Sequence, residues 1–256
     1  MTQTTPKRRR PRKRVILLIV VLLAVSSAVL AVWWPYYCQQ VAIAKIDELG
    51  GLTRTGIVRP RWIPEAVDDR YLVLFERIDA ISLSVPQVGD AELEQFRKLT
   101  NLQILILNNT QVGDAGLARL RKRKKIWDLS LDQTQVTDAG LEHLRELPNL
   151  QWLSLKNTQV SDAGLKHLQG LSNLQLLSLD ETQVTDAGLA HLRGLNKLVA
   201  LSLNNTQVGD VGVESLGELK TLRYLAVSNT QVTRDGYWAL RLALHGCDIR
   251  WTPPAE

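Results

Sequence analysis

The sequence predicts an α/β solenoid, with short parallel strands on a concave face and helical or 3-10 segments on a convex face, preceded by one transmembrane helix. Three observations predict it. A 24-residue period recurs without a gap, two different hydrophobic periods sit inside each unit, and a long uncharged apolar segment lies near the N-terminus.

The first 14 residues hold seven basic groups, Lys7, Arg8, Arg9, Arg10, Arg12, Lys13 and Arg14, and no acid. The formal charge of the whole chain is +5, so removing these seven leaves −2. The positive balance therefore reports a local tail, suited to anionic lipid headgroups at residues 7–14, and nucleic acid is not expected as a partner. Residues 15–34, from Val15 to Trp34, carry no charge. At about 1.5 Å per residue they make a helix of roughly 30 Å, enough to cross a bilayer once. The basic tail before the segment and Trp33, Trp34, Tyr36 and Tyr37 at its far end place the N-terminus in the cytoplasm and the remainder outside. A cleaved secretory peptide is the competing reading, with Val29-Leu30-Ala31 as a tolerable cleavage site, but apolar cores of such peptides run to only about 7–15 residues. The two cysteines, Cys38 and Cys247, stand at opposite ends of the array, too far apart to bridge.

Residues 35–77 read as a juxtamembrane helix and an N-terminal cap. Gln39 to Leu49 has amphipathic spacing, Gly50-Gly51 breaks it, and Trp62, Tyr71, Val73 and Phe75 supply apolar cover for the first coil. Residues 78–245 hold seven units starting at Ile78, Leu102, Ile126, Leu150, Leu174, Leu198 and Leu222. Thr110, Thr134, Thr158, Thr182, Thr206 and Thr230 each open a Thr-Gln-Val triplet at the same place in the unit. Leu153-Ser154-Leu155 alternates as a strand does, whereas Leu165, Leu168 and Leu171 follow one side of a helix. Every core position of all seven units is apolar except Arg123. A single unit cannot bury its own apolar face, so the units must stack. Residues 246–256 read as a final strand through Ile249 and Trp251, stopped by Pro253-Pro254.

Asp90, Asp114, Asp138, Asp162, Asp186 and Asp210 precede each helical stretch and are expected to cap it, while the repeat threonines are expected to bond the adjacent coil. The glycines from Gly116 to Gly212 permit close packing.

Leu150 to Val160 matches L-x-x-L-x-L-x-x-N/C-x-L with Thr in the Asn/Cys place, and Val136 to Leu141 and Val184 to Leu189 read Val-Thr-Asp-Ala-Gly-Leu. The chain thus resembles the leucine-rich repeats, and among them the ribonuclease-inhibitor-like, cysteine-containing subtype found in F-box adaptors and in bacterial envelope proteins. The resemblance covers Ile78 to Trp251. It implies a solenoid, and it leaves the function open because this fold hosts binders of many kinds.

Side chains between the strand leucines point to solvent on the concave face, and Ile104, Asp128, Trp152, Leu176 and Tyr224 fall in one column with Ala80 and Ala200. Large apolar residues at such positions are interface anchors, and Asp132, Lys156 and Asp180, with Asn108 and Asn204, would form a polar rim. Arg119, Arg121, Lys122, Arg123, Lys124 and Lys125 make the one dense basic cluster beyond the tail, either a solvated loop or a contact for an anion. The columns His143, His167, His191 and Ser130, Ser154, Ser178, Ser202 follow from repetition, and no catalytic, cofactor or metal signature is found. The expected protein is a non-catalytic, single-pass membrane protein that displays its solenoid outside the cytoplasm and binds a protein or peptide. The alternative is a substrate-recognition subunit resembling F-box leucine-rich-repeat adaptors of ubiquitin ligases.

Overall fold

The computed structural model describes residues 13–61 and 63–253. The chain enters through a helix, α1 (Lys13–Glu48), and a strand, β1 (Leu52–Ile57). Strands β2 (Glu76–Ser82), β3 (Ile104–Ile106), β4 (Asp128–Ser130), β5 (Trp152–Ser154), β6 (Leu176–Ser178), β7 (Ala200–Ser202), β8 (Tyr224–Ala226) and β9 (Asp248–Arg250) then recur once per unit. They form one sheet in chain order, parallel from β2 onward. Helical segments return between them on the other side: α2 (Asp90–Leu93), α3 (Asp114–Leu120), α4 (Asp138–Leu141), α5 (Asp162–Leu165), α6 (Asp186–Leu189), α7 (Asp210–Gly217) and α8 (Arg234–Ala243). Some continue as 3-10 turns, as at Glu142–Glu146.

The register is the sequence period made physical. Leu129 pairs with Leu153, Leu153 with Leu177 and Leu177 with Leu201, each 24 residues apart, so identical side chains stack inward and stay dry. The leucines of the helical side close the same continuous core.

Arg123 occupies the place that Leu147, Leu171 and Leu195 fill elsewhere, and it lies half-buried with its guanidinium donating to the Leu99 carbonyl at 3.3 Å. After each of the strands β3 to β8 the chain turns through a left-handed residue, Asn109, Gln133, Asn157, Glu181, Asn205 or Asn229, with φ between 52° and 58°. Asparagine tolerates that region best among residues with a side chain, which accounts for its use at four of the six positions.

Two expectations about the polar letters are corrected. The repeat threonines bond their own coil: Thr134 donates its hydroxyl to the Leu131 carbonyl at 2.7 Å, and Thr158 does so to Leu155. The aspartates are not caps of their own helices. Thr137, Ser161 and Thr185 cap instead, each accepting from the N–H two residues on, and the aspartate one position later reaches across to the next unit.

The N-terminal region differs from the expected separate span and short helix, because α1 is continuous from Lys13 to Glu48 and passes through Pro35. Gln39, Ala42 and Ile46 are buried and Ile43 and Leu49 half-buried, a helical stripe against the first unit. Gly50 ends the helix in the left-handed region (φ 74°), with Gly50 N–H to Asp47 O and Gly51 N–H to Ile46 O, a Schellman stop. The cap also contains a strand that the sequence pattern did not show: β1 pairs antiparallel with β2 and is fixed by Arg54 on Asp79 at 2.9 Å. Trp62 and the tail residues 1–12 lie outside the described residues.

The side chains of most of residues 15–34 also lie outside the described residues. Among the described residues, no helix is long and apolar enough to cross a membrane.

Candidate partner-binding face

The parallel register brings the concave column together. Ile104, Asp128, Trp152, Leu176, Ala200 and Tyr224 are successive pairing partners on adjacent strands. Adjacent strands lie about 4.8 Å apart, so neighbours in this column touch. Trp152 and Tyr224 keep 42% and 40% of their surface exposed. With Leu176 they line a shallow apolar hollow of about 310 Å³, floored by the serines Ser130, Ser154, Ser178 and Ser202.

The flanking column is occupied in a different way from a free rim. Asp132 Oδ1 accepts from the Ser154 hydroxyl and from the Lys156 N–H, the latter at 3.0 Å. Asp180 does the same for Ser202 at 2.6 Å and Asn204 N–H at 2.7 Å, and Asn108 for Ser130 at 2.7 Å and Asp132 N–H at 3.0 Å. These groups stitch strand ends together. The same bonds engage the hydroxyls of Ser130, Ser154 and Ser202. Lys156 extends its ammonium to Glu181 at 3.1 Å.

Trp127, which the sequence reading did not single out, belongs to this face. Its ring meets Trp152 edge-on, with centroids 5.4 Å apart and an interplanar angle of 83°. The signal was present in register: Trp127 is the lone aromatic in a column otherwise made of Asp79, Gln103, Gln151, Gln175, Val199 and Arg223. Asp128, between Ile104 and Trp152, is half-buried, and burial holds its carboxyl above the ordinary carboxylate range.

The basic cluster lies apart from the concave column, on α3 and the turn after it. Arg119 pairs with Glu94 at 2.5 Å, Lys125 donates to Asn101 at 2.7 Å and Arg121 approaches Glu146 at 3.9 Å. With Arg123 on the Leu99 carbonyl, four of the six cations are thus drawn into ties between units, while Lys122 and Lys124 are exposed. In the histidine column, His191 Nδ1 lies 2.8 Å from the Gln169 amide, and the buried Nδ1 of His167 has no partner among the described residues. Among the described residues, no group of three or more His, Cys, Asp and Glu side chains could hold a metal ion.

Residues 98–120 and 194–217 match the family model for leucine rich repeats. No curated protein matches the chain significantly. Among solved structures, an internalin (inlF) from Listeria monocytogenes is similar at 22% identity and a TM-score of 0.52, over 69% of this chain and 54% of that one. Internalin C2 from the same organism is similar at 24% identity and a TM-score of 0.50, over 68% of this chain and 81% of its own. The chain therefore spans about half the length of the first of these. At such identities the likeness establishes the fold, a leucine-rich-repeat solenoid with a parallel concave sheet.

Proposed function

We propose that the chain is a non-catalytic leucine-rich-repeat protein, anchored through residues 15–34, which binds a protein or peptide on the concave face outside the cytoplasm. The observation that carries the reading is the exposed apolar column of Trp152, Leu176 and Tyr224 in register over one hollow. Solenoid sheets form extended binding surfaces, and aromatic anchors dominate interface energetics. The mechanism is preorganisation: the side chains stand on strands locked by the Asx-serine ties, so few rotamers are lost on binding.

Support for the anchor comes from the uncharged run Val15–Trp34, the basic tail ahead of it and the aromatic residues behind it. Because α1 continues unbroken into the buried Gln39–Ile46 stripe, such an anchor would hold the solenoid without a flexible linker.

The test is crosslinking capture from intact membranes, comparing the wild type with Trp152→Asp plus Tyr224→Asp after both are shown to be folded. Loss of a captured partner in the variant supports the concave face; identical capture by both rejects it.

A further inference from the structure

We propose that Asp128, Trp127 and Trp152 form a recognition site for a guanidinium group, so that the partner presents an arginine side chain to this end of the concave hollow. The inference rests on the concave-face reading above and names the chemistry of what that face takes.

Asp128 is the one acid in an otherwise apolar stretch of the column, with Ile104 on one side and Trp152 on the other. No hydrogen bond or ion pair engages its carboxylate among the described residues. Lys156, the cation nearest in the flanking column, is held by Glu181. A half-buried carboxylate without a donor is costly, and the upward displacement of its pKa by burial expresses that cost. A cation brought by a partner relieves it.

The tryptophans decide which cation. Their rings stand nearly perpendicular, and Trp152 is the register partner of Asp128 on the next strand and lines the same hollow. A planar, weakly hydrated guanidinium can stack on the exposed face of Trp152 while its N–H groups bond a carboxylate, whereas an ammonium is a strongly hydrated point charge. The charges around the site agree. On the flank of the column beyond the serines, Asp132, Asp180 and Glu181 stand against the single cation Lys156, so that flank favours a basic partner.

The experiment uses the full chain in nanodiscs with 5-fluorotryptophan at its seven tryptophans. Trp127→Phe and Trp152→Phe assign the two resonances of interest. Titration with N-acetylarginine amide is expected to move those two and leave the other five in place. N-acetylcitrulline amide, equal in shape but uncharged, and Asp128→Asn with the arginine probe, are each expected to bind roughly five- to tenfold more weakly. Equal response to the two probes, an unchanged titration in Asp128→Asn, or no movement of the two resonances would overturn the proposal. Partner capture separates its failure from that of the parent reading. Capture abolished by Trp152→Asp plus Tyr224→Asp but unchanged by Asp128→Asn leaves the concave face and removes the guanidinium site; capture unchanged by both removes both.

Discussion

Asp138 accepts both the backbone N–H and the hydroxyl of Ser161 in the following unit, at 2.7 and 2.5 Å through its two carboxylate oxygens. A Cβ on Gly164, three residues after Ser161, would collide with Asp138 Oδ1. Serine, aspartate and glycine of the repeating motif are therefore one interaction spread over two units, repeated at Asp114 with Thr137 and Gly140 and at Asp162 with Thr185 and Gly188. Where the cap residue is Gly113 or Gly209, only the N–H contact survives.

Asp138→Ala should cost about 1–3 kcal/mol, because a partly buried N–H and hydroxyl lose their acceptor. Gly164→Ala should cost a comparable amount by forcing Asp138 aside. Combined, the two should cost less than their sum, since removing the carboxylate also removes most of the collision. Denaturant midpoints of the four proteins in a double-mutant cycle measure this, and strictly additive costs would show that the aspartate and glycine act separately.

The period of 24 and the alternation around the strand leucines were enough to read the sheet order, the register and the concave column, since each follows from stacking like on like. The role of Asp138 was not readable, because its partner lies in the next unit and one sequence position looks the same whether it caps its own helix or reaches across. Strand β1 escaped for a related reason: Leu52–Ile57 alternates weakly, and only the edge of β2 gives it a partner. Trp127 was visible as a letter but not as a contact, because its importance lies in the angle at which it meets Trp152.

Adjacent residues on β5 should separate stability from binding. Leu153 is 2% exposed and Trp152 42% exposed. Leu153→Ala should lower stability by about 2–5 kcal/mol through the cavity it leaves. Trp152→Ala should cost under about 1 kcal/mol while reducing partner capture. Urea unfolding gives the first comparison and crosslinking the second; a Trp152→Ala protein as unstable as Leu153→Ala would make the tryptophan a core residue.

Arg123→Leu should stabilise the solenoid by about 1 kcal/mol, because it restores the leucine that Leu147 and Leu171 supply at 0% and 1% exposure. The substitution gives up the guanidinium's contacts, among them the 3.3 Å bond to the Leu99 carbonyl, a long one of small value. A fall in the unfolding midpoint would mean that the guanidinium bond outweighs the burial.

His167 should make stability depend on pH. Burial, followed by the charges of Arg145 and Lys166, lowers its pKa in the folded chain. As pH falls through the ordinary histidine range near 6.5 the unfolded chain takes up the proton first, so stability present above that range is lost below it. His167→Gln should flatten the decline between about pH 7 and 5, measured by thermal unfolding across that interval. A decline as steep in the variant as in the wild type would assign it to other groups.

The junction between α1 and the first unit turns on one amide. Gln39 is 2% exposed and its Oε1 accepts from the Ile78 N–H of β2 at 2.9 Å, so the helix supplies an acceptor to a backbone donor of the first unit. Gln39→Leu keeps the volume and removes the acceptor, leaving a buried N–H unpaired at a cost of about 1–3 kcal/mol. The cost should be local, since the later units hold one another through their own ladders. Hydrogen exchange is the measurement: the Ile78 amide should exchange about tenfold or more faster in Gln39→Leu, the factor that roughly 1.4 kcal/mol implies, while Leu153 and Leu177 keep their protection. Uniform loss of protection along the array would show instead that the helix supports the whole solenoid. Unchanged protection at Ile78 would show that the helix is not held by this bond.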